Sequence, residues 1–151
     1  MKRIAVIFLG VFLLAACVHA DEAALEPYRK ILESNPQDAE AYYNMGVIYY
    51  NDKNYGQAKE QYQKAVEVYP DFPEAYHALG VVYYVEGDYD KAIESFAKAA
   101  QIDPRAYDSY YQLGATYVLK GDKEKAAEQV AKLKSISRNE LARKLEQLIN
   151  Q

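Results

Sequence analysis

Cysteine is almost missing from this chain: Cys17 is the only one in 151 residues, so no internal disulfide can form. A folded part must therefore be held by packing rather than by staples. Tryptophan is absent and phenylalanine occurs only four times. Basic residues are outnumbered, 18 against 22 acidic, for a formal net charge of -4. With Lys2 and Arg3 set aside, 16 basic residues face 22 acidic ones. Such a chain lacks the clustered Lys and Arg that neutralising phosphates demands, which excludes a nucleic-acid footprint. The single long apolar run, residues 4–16, would make a helix of roughly 20 Å, short of the ~30 Å hydrocarbon core of a bilayer. Histidine occurs twice, as His19 and His77, and neither lies in a metal-ligand spacing. With no Gly-rich phosphate loop and no Gly-x-Ser-x-Gly elbow, the reading is a non-enzyme without metal or cofactor.

What is present begins with "MKR" and "IAVIFLGVFLLAA", the basic and apolar regions of a cleaved export signal. Two cleavage sites compete. "VHA", ending at Ala20, has the small-x-small pattern of ordinary signal-peptidase processing. "LAAC", ending at Cys17, resembles the lipobox of bacterial lipoproteins, in which the cysteine is acylated and becomes the first mature residue. That resemblance implies a signal peptide over 1–16, lipidation at Cys17 and a short tether over 17–23. Acyl chains would anchor the protein at ~0.8 kcal/mol per buried methylene. Val18 stands where Gram-negative lipoproteins resembling this one carry the Asp of inner-membrane retention, which, in a host with an outer membrane, implies an outer-membrane lipoprotein facing the periplasm. Cleavage after Ala20 would instead leave a soluble periplasmic or secreted protein.

Beyond the leader, one period organises the chain. Tyr42, Tyr76 and Tyr110 are 34 residues apart, as are Gly46, Gly80 and Gly114, and Ala58, Ala92 and Ala126. Pro36, Pro70 and Pro104 keep the same step. In each unit apolar residues recur at helical spacing, as at Tyr76, Leu79 and Tyr83. The mid-helix glycines cost ~1 kcal/mol each against alanine, so a neighbouring helix is expected to approach closely there. "GDYD" at 87–90 and "GDKE" at 121–124 supply a turn glycine and an N-cap aspartate. Lys53 departs from that glycine, and "NDKNY" is expected to turn with Asn instead.

The pattern of aromatic, Leu-Gly, Tyr, then Ala, aromatic, Ala and a closing Pro resembles the tetratricopeptide repeat (TPR), a helix-turn-helix unit of this length. It implies an all-α solenoid over 24–151, with repeats at 39–72, 73–106 and 107–138. "ALEPYRKILESNP" reads as a preceding half-repeat, which Pro27 is expected to limit backwards, and 139–151 as a capping helix with Leu141, Leu145, Leu148 and Ile149 on one stripe.

Sixteen tyrosines need places. Ten occupy repeat registers that read as packing: 28, 42, 49, 55, 62, 76, 83, 89, 110 and 117. In the repeat architecture the fifth, ninth and twelfth residues of each unit line a concave face. Here these include Tyr43, Val47 and Tyr50, then His77, Val81 and Tyr84, then Tyr111, with Glu40, Glu74 and Asp108 as an acidic rim. The Lys, Arg and Asn of a clamp for acidic C-termini are replaced by Tyr43, Val47, Ala78, Asp108 and Gln112. A segment with apolar or aromatic anchors and some positive charge suits such a face. The reading is a non-catalytic, membrane-tethered adaptor binding a protein or peptide partner in cell-envelope assembly. A glycan-binding lipoprotein, with tyrosines stacked on sugar rings, and a homo-oligomeric structural one remain alternatives.

Overall fold

Short polar signals between the repeated apolar stretches cut the chain into helices. The computed structural model describes residues 22–151, and the leader with Cys17 and His19 lies outside them. A first helix, α1, covers 22–34. Three helix pairs follow: α2 (Ala39–Asn51) with α3 (Tyr55–Val68), α4 (Pro73–Glu86) with α5 (Tyr89–Ile102), and α6 (Tyr107–Leu119) with α7 (Lys123–Ser135). The last helix, α8, spans Asn139–Ile149. Among the described residues there is no strand.

The second helices open on side-chain caps. Asp88 accepts from the Lys91 amide at 3.3 Å and Asp122 from the Lys125 amide at 3.1 Å. Asp38 caps α2 through the Ala41 amide at 2.8 Å. Pro73 occupies the first turn of α4, where its fixed φ suits the helix and its missing amide costs nothing. The turns inside the pairs are Schellman closures. At the α4–α5 turn the Asp88 amide donates to the Tyr83 carbonyl at 2.9 Å and the Gly87 amide to the Tyr84 carbonyl at 3.1 Å, with Gly87 left-handed at φ 81°. Lys53 closes the first pair in the same way at φ 61°, and Ser137 closes α7 at φ 61°. The expectation that Asn replaces glycine in the first turn is corrected: Lys53 itself takes the left-handed conformation, while Asn54 becomes the cap of α3.

Pro27 is also read differently in three dimensions. Helical residues run back to 22, so the proline sits inside α1 rather than bounding it. Ala23 and Pro27 are both exposed, so the carbonyl that loses its donor can be hydrated.

From α2 onward each helix packs against the next in the chain, and α6 also meets α8. Alanine makes this close: Ala58, Ala65, Ala75, Ala92, Ala99 and Ala126 are fully buried. Tyr62 lies over Gly46 and Phe96 over Gly80, where an added β-carbon would stand 2.5 Å and 2.6 Å from ring carbons. In the third pair the equivalent residue is Val130, and the space at Gly114 is filled by Leu145, reaching across from α8. That helix buries Ala142 and Leu145 completely, so the cap completes the last repeat as well as covering it.

The ten tyrosines in packing registers do not form the interior. Only Tyr62 among them is buried, at 3 % exposure. Of the others, Tyr89 is exposed and the rest are half-buried, with Tyr49, Tyr55, Tyr76, Tyr83, Tyr110 and Tyr117 packed against the buried clusters from outside. There they meet lysine: Lys59 and Lys91 lie 5.6 Å and 5.5 Å from the Tyr83 ring centroid, and Lys125 lies 5.4 Å from that of Tyr117.

Candidate binding groove

Stacking three similar pairs in register aligns α2, α4 and α6, so side chains at matching positions fall side by side. One concavity, of about 320 Å³, results at the N-terminal ends of these helices. Tyr43 from α2, Glu74, His77 and Ala78 from α4, and Tyr107, Asp108 and Ser109 from α6 line it. The α5–α6 turn adds Asp103, Arg105 and Ala106.

Its floor is an inter-repeat hydrogen bond. His77 Nδ1 and the Ser109 hydroxyl oxygen are 2.9 Å apart, and Ser109 is only 2 % exposed. The imidazole also tilts against the Phe96 ring, with centroids 5.4 Å apart. Burial disfavours the imidazolium and lowers the His77 pKa below its ordinary value, while the Asp108 carboxylate opposes that shift without overcoming it. Tyr43 is wedged among rings, 5.7 Å from Tyr62 and 5.2 Å from Phe72. Burial, and then the charge of Glu74, raise the Tyr43 pKa, so its hydroxyl stays protonated and able to donate at neutral pH.

A second concavity of about 460 Å³ shares Tyr107 and Asp108 and continues toward Arg138, Glu140 and Lys144 at the start of α8. The Arg138 guanidinium lies 4.1 Å from the Tyr107 ring centroid, so the two hollows meet at that ring. Among the described residues no group of three His, Cys, Asp or Glu is placed to hold a metal, and no helix is long and apolar enough to cross a membrane.

Three tetratricopeptide-repeat profiles match, over residues 28–60, 49–107 and 84–149. This chain is a tetratricopeptide-repeat protein. Among solved structures, MamA is similar at TM-score 0.72 and 23% identity, with 89% of this chain and 89% of that chain covered. A MamA fragment from Desulfovibrio magneticus RS-1 shares 28% identity at TM-score 0.68, over 82% of this chain and 70% of that one. The Arabidopsis OM64 TPR domain superposes at TM-score 0.68 with 18% identity, over 74% of this chain and 93% of that one. Comparison with curated protein sequences gives no match.

Within this TPR fold the residues expected to line the groove divide by depth. Tyr43, Glu74, His77 and Asp108 meet in the first concavity. Val47 and Val81 are half-buried and also pack on the core clusters beneath them. Tyr50 and Tyr84 lie farther along α2 and α4, each tilted against a ring of the partner helix: Tyr55 at 5.5 Å and Tyr89 at 5.7 Å. Tyr111 packs against the Val130–Leu145 cluster, and Glu40 is exposed on α2, outside the concavity. Sequence reasoning missed Ser109, Tyr107 and Arg105 as parts of the site. Tyr107 was legible as one of the tyrosines left over from the packing registers. Ser109 had no such signal, because a serine in a helix acquires meaning only when its polar partner is known.

Proposed function

We propose that this protein is a non-catalytic, membrane-tethered adaptor that holds a segment of a partner protein along the face formed by α2, α4 and α6. The TPR fold is a scaffold for protein interaction, and TPR proteins are in general non-catalytic. The observation that carries the reading is the concavity itself, where half-buried rings from α2, α4 and α6 and the exposed carboxylates of Glu74 and Asp108 face one space. Half-buried tyrosine suits such a surface, since it offers ring area and a hydroxyl at low entropic cost. The tilt of Tyr50 and Tyr84 against neighbouring rings favours a peptide partner over a glycan, which needs free ring faces as stacking platforms.

The tether belongs to the same proposal. Acylation at Cys17 would confine the search for partners to a membrane surface and raise their effective concentration. The envelope of a bacterium, with the domain facing the periplasm, is the setting in which the leader and the acidic domain fit together. Two measurements test the proposal. Fractionation should find the parent in membranes and Cys17→Ser in the soluble fraction; an unchanged distribution would mean that Cys17 is not the anchor. A photo-cross-linking residue at Val81 should capture one envelope protein in living cells, and the same residue at exposed Gln101 should not. Equal capture at both positions would remove the groove from the proposal.

A further inference from the structure

We propose that the edge formed by the α2–α3, α4–α5 and α6–α7 turns lies on the lipid bilayer surface, seating Val85, Tyr89 and Leu119 at the membrane–water interface. This deepens the tethered-adaptor reading and rests on it.

Chain entry is the first argument. Leu25, in the first turn of α1, is 2 % exposed, so that end of the helix packs on its neighbours. Only the turn 35–38 separates α1 from α2, so α1 runs antiparallel to α2 for its first turn to be covered. Its N-terminus therefore lies at the end where α2, α4 and α6 finish. From Cys17 to Glu22 is five residues, a reach of at most roughly 18 Å. An acyl anchor at Cys17 thus holds this edge near the membrane. Helices of 13 and 14 residues put the opposite edge about 20 Å farther out.

Exposed apolar surface is the second. Val85 is 45 % exposed, Leu119 54 % and Tyr89 36 %, and all three stand in the last or first helical turn at this edge. Only two other large apolar residues are as exposed among the described ones, Ile31 and Tyr69, and both lie at helix ends on the opposite edge. The Tyr84 ring tilts against that of Tyr89, with centroids 5.7 Å apart, so the apolar surface continues onto α4. Tyrosine suits an interface because its ring enters the lipid while its hydroxyl stays in water, and lysine stems lie along lipid in the same way.

Segregation of charge is the third. Residues 52–58, 87–92 and 120–126, which make this edge, carry five carboxylates and five lysines. Asp88, Asp90 and Asp122 are paired there with Lys91, Lys120 and Lys125. The Lys59–Glu86 and Lys120–Asp90 pairs cross from one helix pair to the next, so the edge is continuous. At the start of α1, Glu22 is likewise paired, with Arg29. The opposite edge, made by 35–42, 69–76, 103–110 and 136–142, carries seven carboxylates against two arginines. A bilayer containing anionic lipids repels that edge and accepts the neutral one. The concavity at His77 belongs to the acidic edge, so this orientation turns it away from the lipid and toward a partner.

The test uses the full protein purified from membranes and placed in vesicles of phosphatidylethanolamine and phosphatidylglycerol doped with a nitroxide-bearing phospholipid. Acylation blocks the Cys17 thiol, so a fluorophore on an introduced cysteine reports one position. The label at Leu119→Cys should lose most of its emission to the nitroxide, and the label at Asp71→Cys, exposed on the opposite edge, should keep it. Equal responses at the two positions, or none at either, would overturn the orientation. A reporter at exposed Asn51→Cys, in the last turn of α2, separates lipid contact from tethering. Its emission loss should vanish in the Val85→Asp/Leu119→Asp variant, whose altered side chains are too exposed to hold the fold. A loss that persists there would overturn the apolar contact. Shielding of the Leu119→Cys label that the nitroxide does not reach, and that grows with protein density, would assign the row to a second copy instead. The tether is read separately by fractionation. If Cys17→Ser distributes as the parent does, the anchor falls and this edge with it. If Cys17→Ser is released while the Leu119→Cys and Asp71→Cys labels respond alike, the tethered adaptor stands and only the orientation falls.

Discussion

Gly46 shows how one missing methyl group can set a helix spacing. The Tyr62 ring occupies the place a β-carbon would need, and it is buried among Ala58, Leu79 and Val82, which leaves it little room to retreat. Gly46→Ala should cost about 1–3 kcal/mol through overpacking. Gly56, in the exposed first turn of α3, has nothing within 4 Å of an added β-carbon. There the same substitution should be stabilising by up to ~1 kcal/mol from helix propensity alone. Urea denaturation of both variants checks the contrast, and two shifts of the same sign would contradict it. Lys53 makes the complementary case. It holds φ 61° where the equivalent residues Gly87 and Gly121 hold 81° and 78°. A left-handed non-glycine residue costs about 1–2 kcal/mol, partly offset by the greater freedom of glycine when unfolded. Lys53→Gly should therefore be stabilising by about 0.5–1 kcal/mol. A lower thermal midpoint for Lys53→Gly would show that Lys53 makes a compensating contact.

At the scale of elements, the telling unit is α8. Its amphipathic stripe is plain in "NELARKLEQLINQ", and the solubility argument for a cap follows from the sequence. What that argument does not contain is Leu145 filling the space over Gly114, where the repeat's own residue has shrunk to Val130. The consequence is energetic. Leu145 is fully buried, so Leu145→Ala should cost about 2–5 kcal/mol, as large-to-small core changes do. The loss should appear first as faster amide exchange in α6 and α7, because α8 contacts both. Exchange that quickens equally throughout α2–α7 would show instead that the array unfolds as one block. Within elements, the caps Asp88 and Asp122 and the closing prolines were readable because capping is a local event between neighbours in sequence. Pro27 misled for the opposite reason: whether a proline ends a helix depends on whether the carbonyl it orphans can reach water.

For the whole molecule, the His77–Ser109 bond ties consecutive repeats, so its protonation state bears on stacking. His77 shares the concavity with Glu74, Asp108 and Arg105 and tilts against Phe96, and burial outweighs the Asp108 carboxylate in lowering its pKa. The unfolded chain then takes up a proton that the folded chain resists. Stability should be level above about pH 7 and fall as pH drops through the ordinary histidine value near 6.5, until the lower folded-state value is reached. His77→Gln retains a hydrogen-bonding group for Ser109 and should flatten that slope between about pH 7 and pH 5. Parallel slopes for the two proteins in urea titrations would rule out His77 as the cause.

The 34-residue step, the capping aspartates and the amphipathic last helix determine a right number of helices in a right order, because periodicity, capping and hydrophobic patterning act between residues close in sequence. The same residues identify the face on which α2, α4 and α6 place Tyr43, Glu74, His77 and Asp108. Only the tertiary structure decided that these four meet in one concavity while Tyr50, Tyr84 and Tyr111 lean on neighbouring rings or the core. It also decided that only Tyr62 of the ten tyrosines in packing registers is fully buried and that Ser109 is the buried partner of His77. These outcomes depend on how closely alanine lets helices from different repeats approach. That distance belongs to pairs of residues tens of positions apart, and no stretch of the chain records it alone.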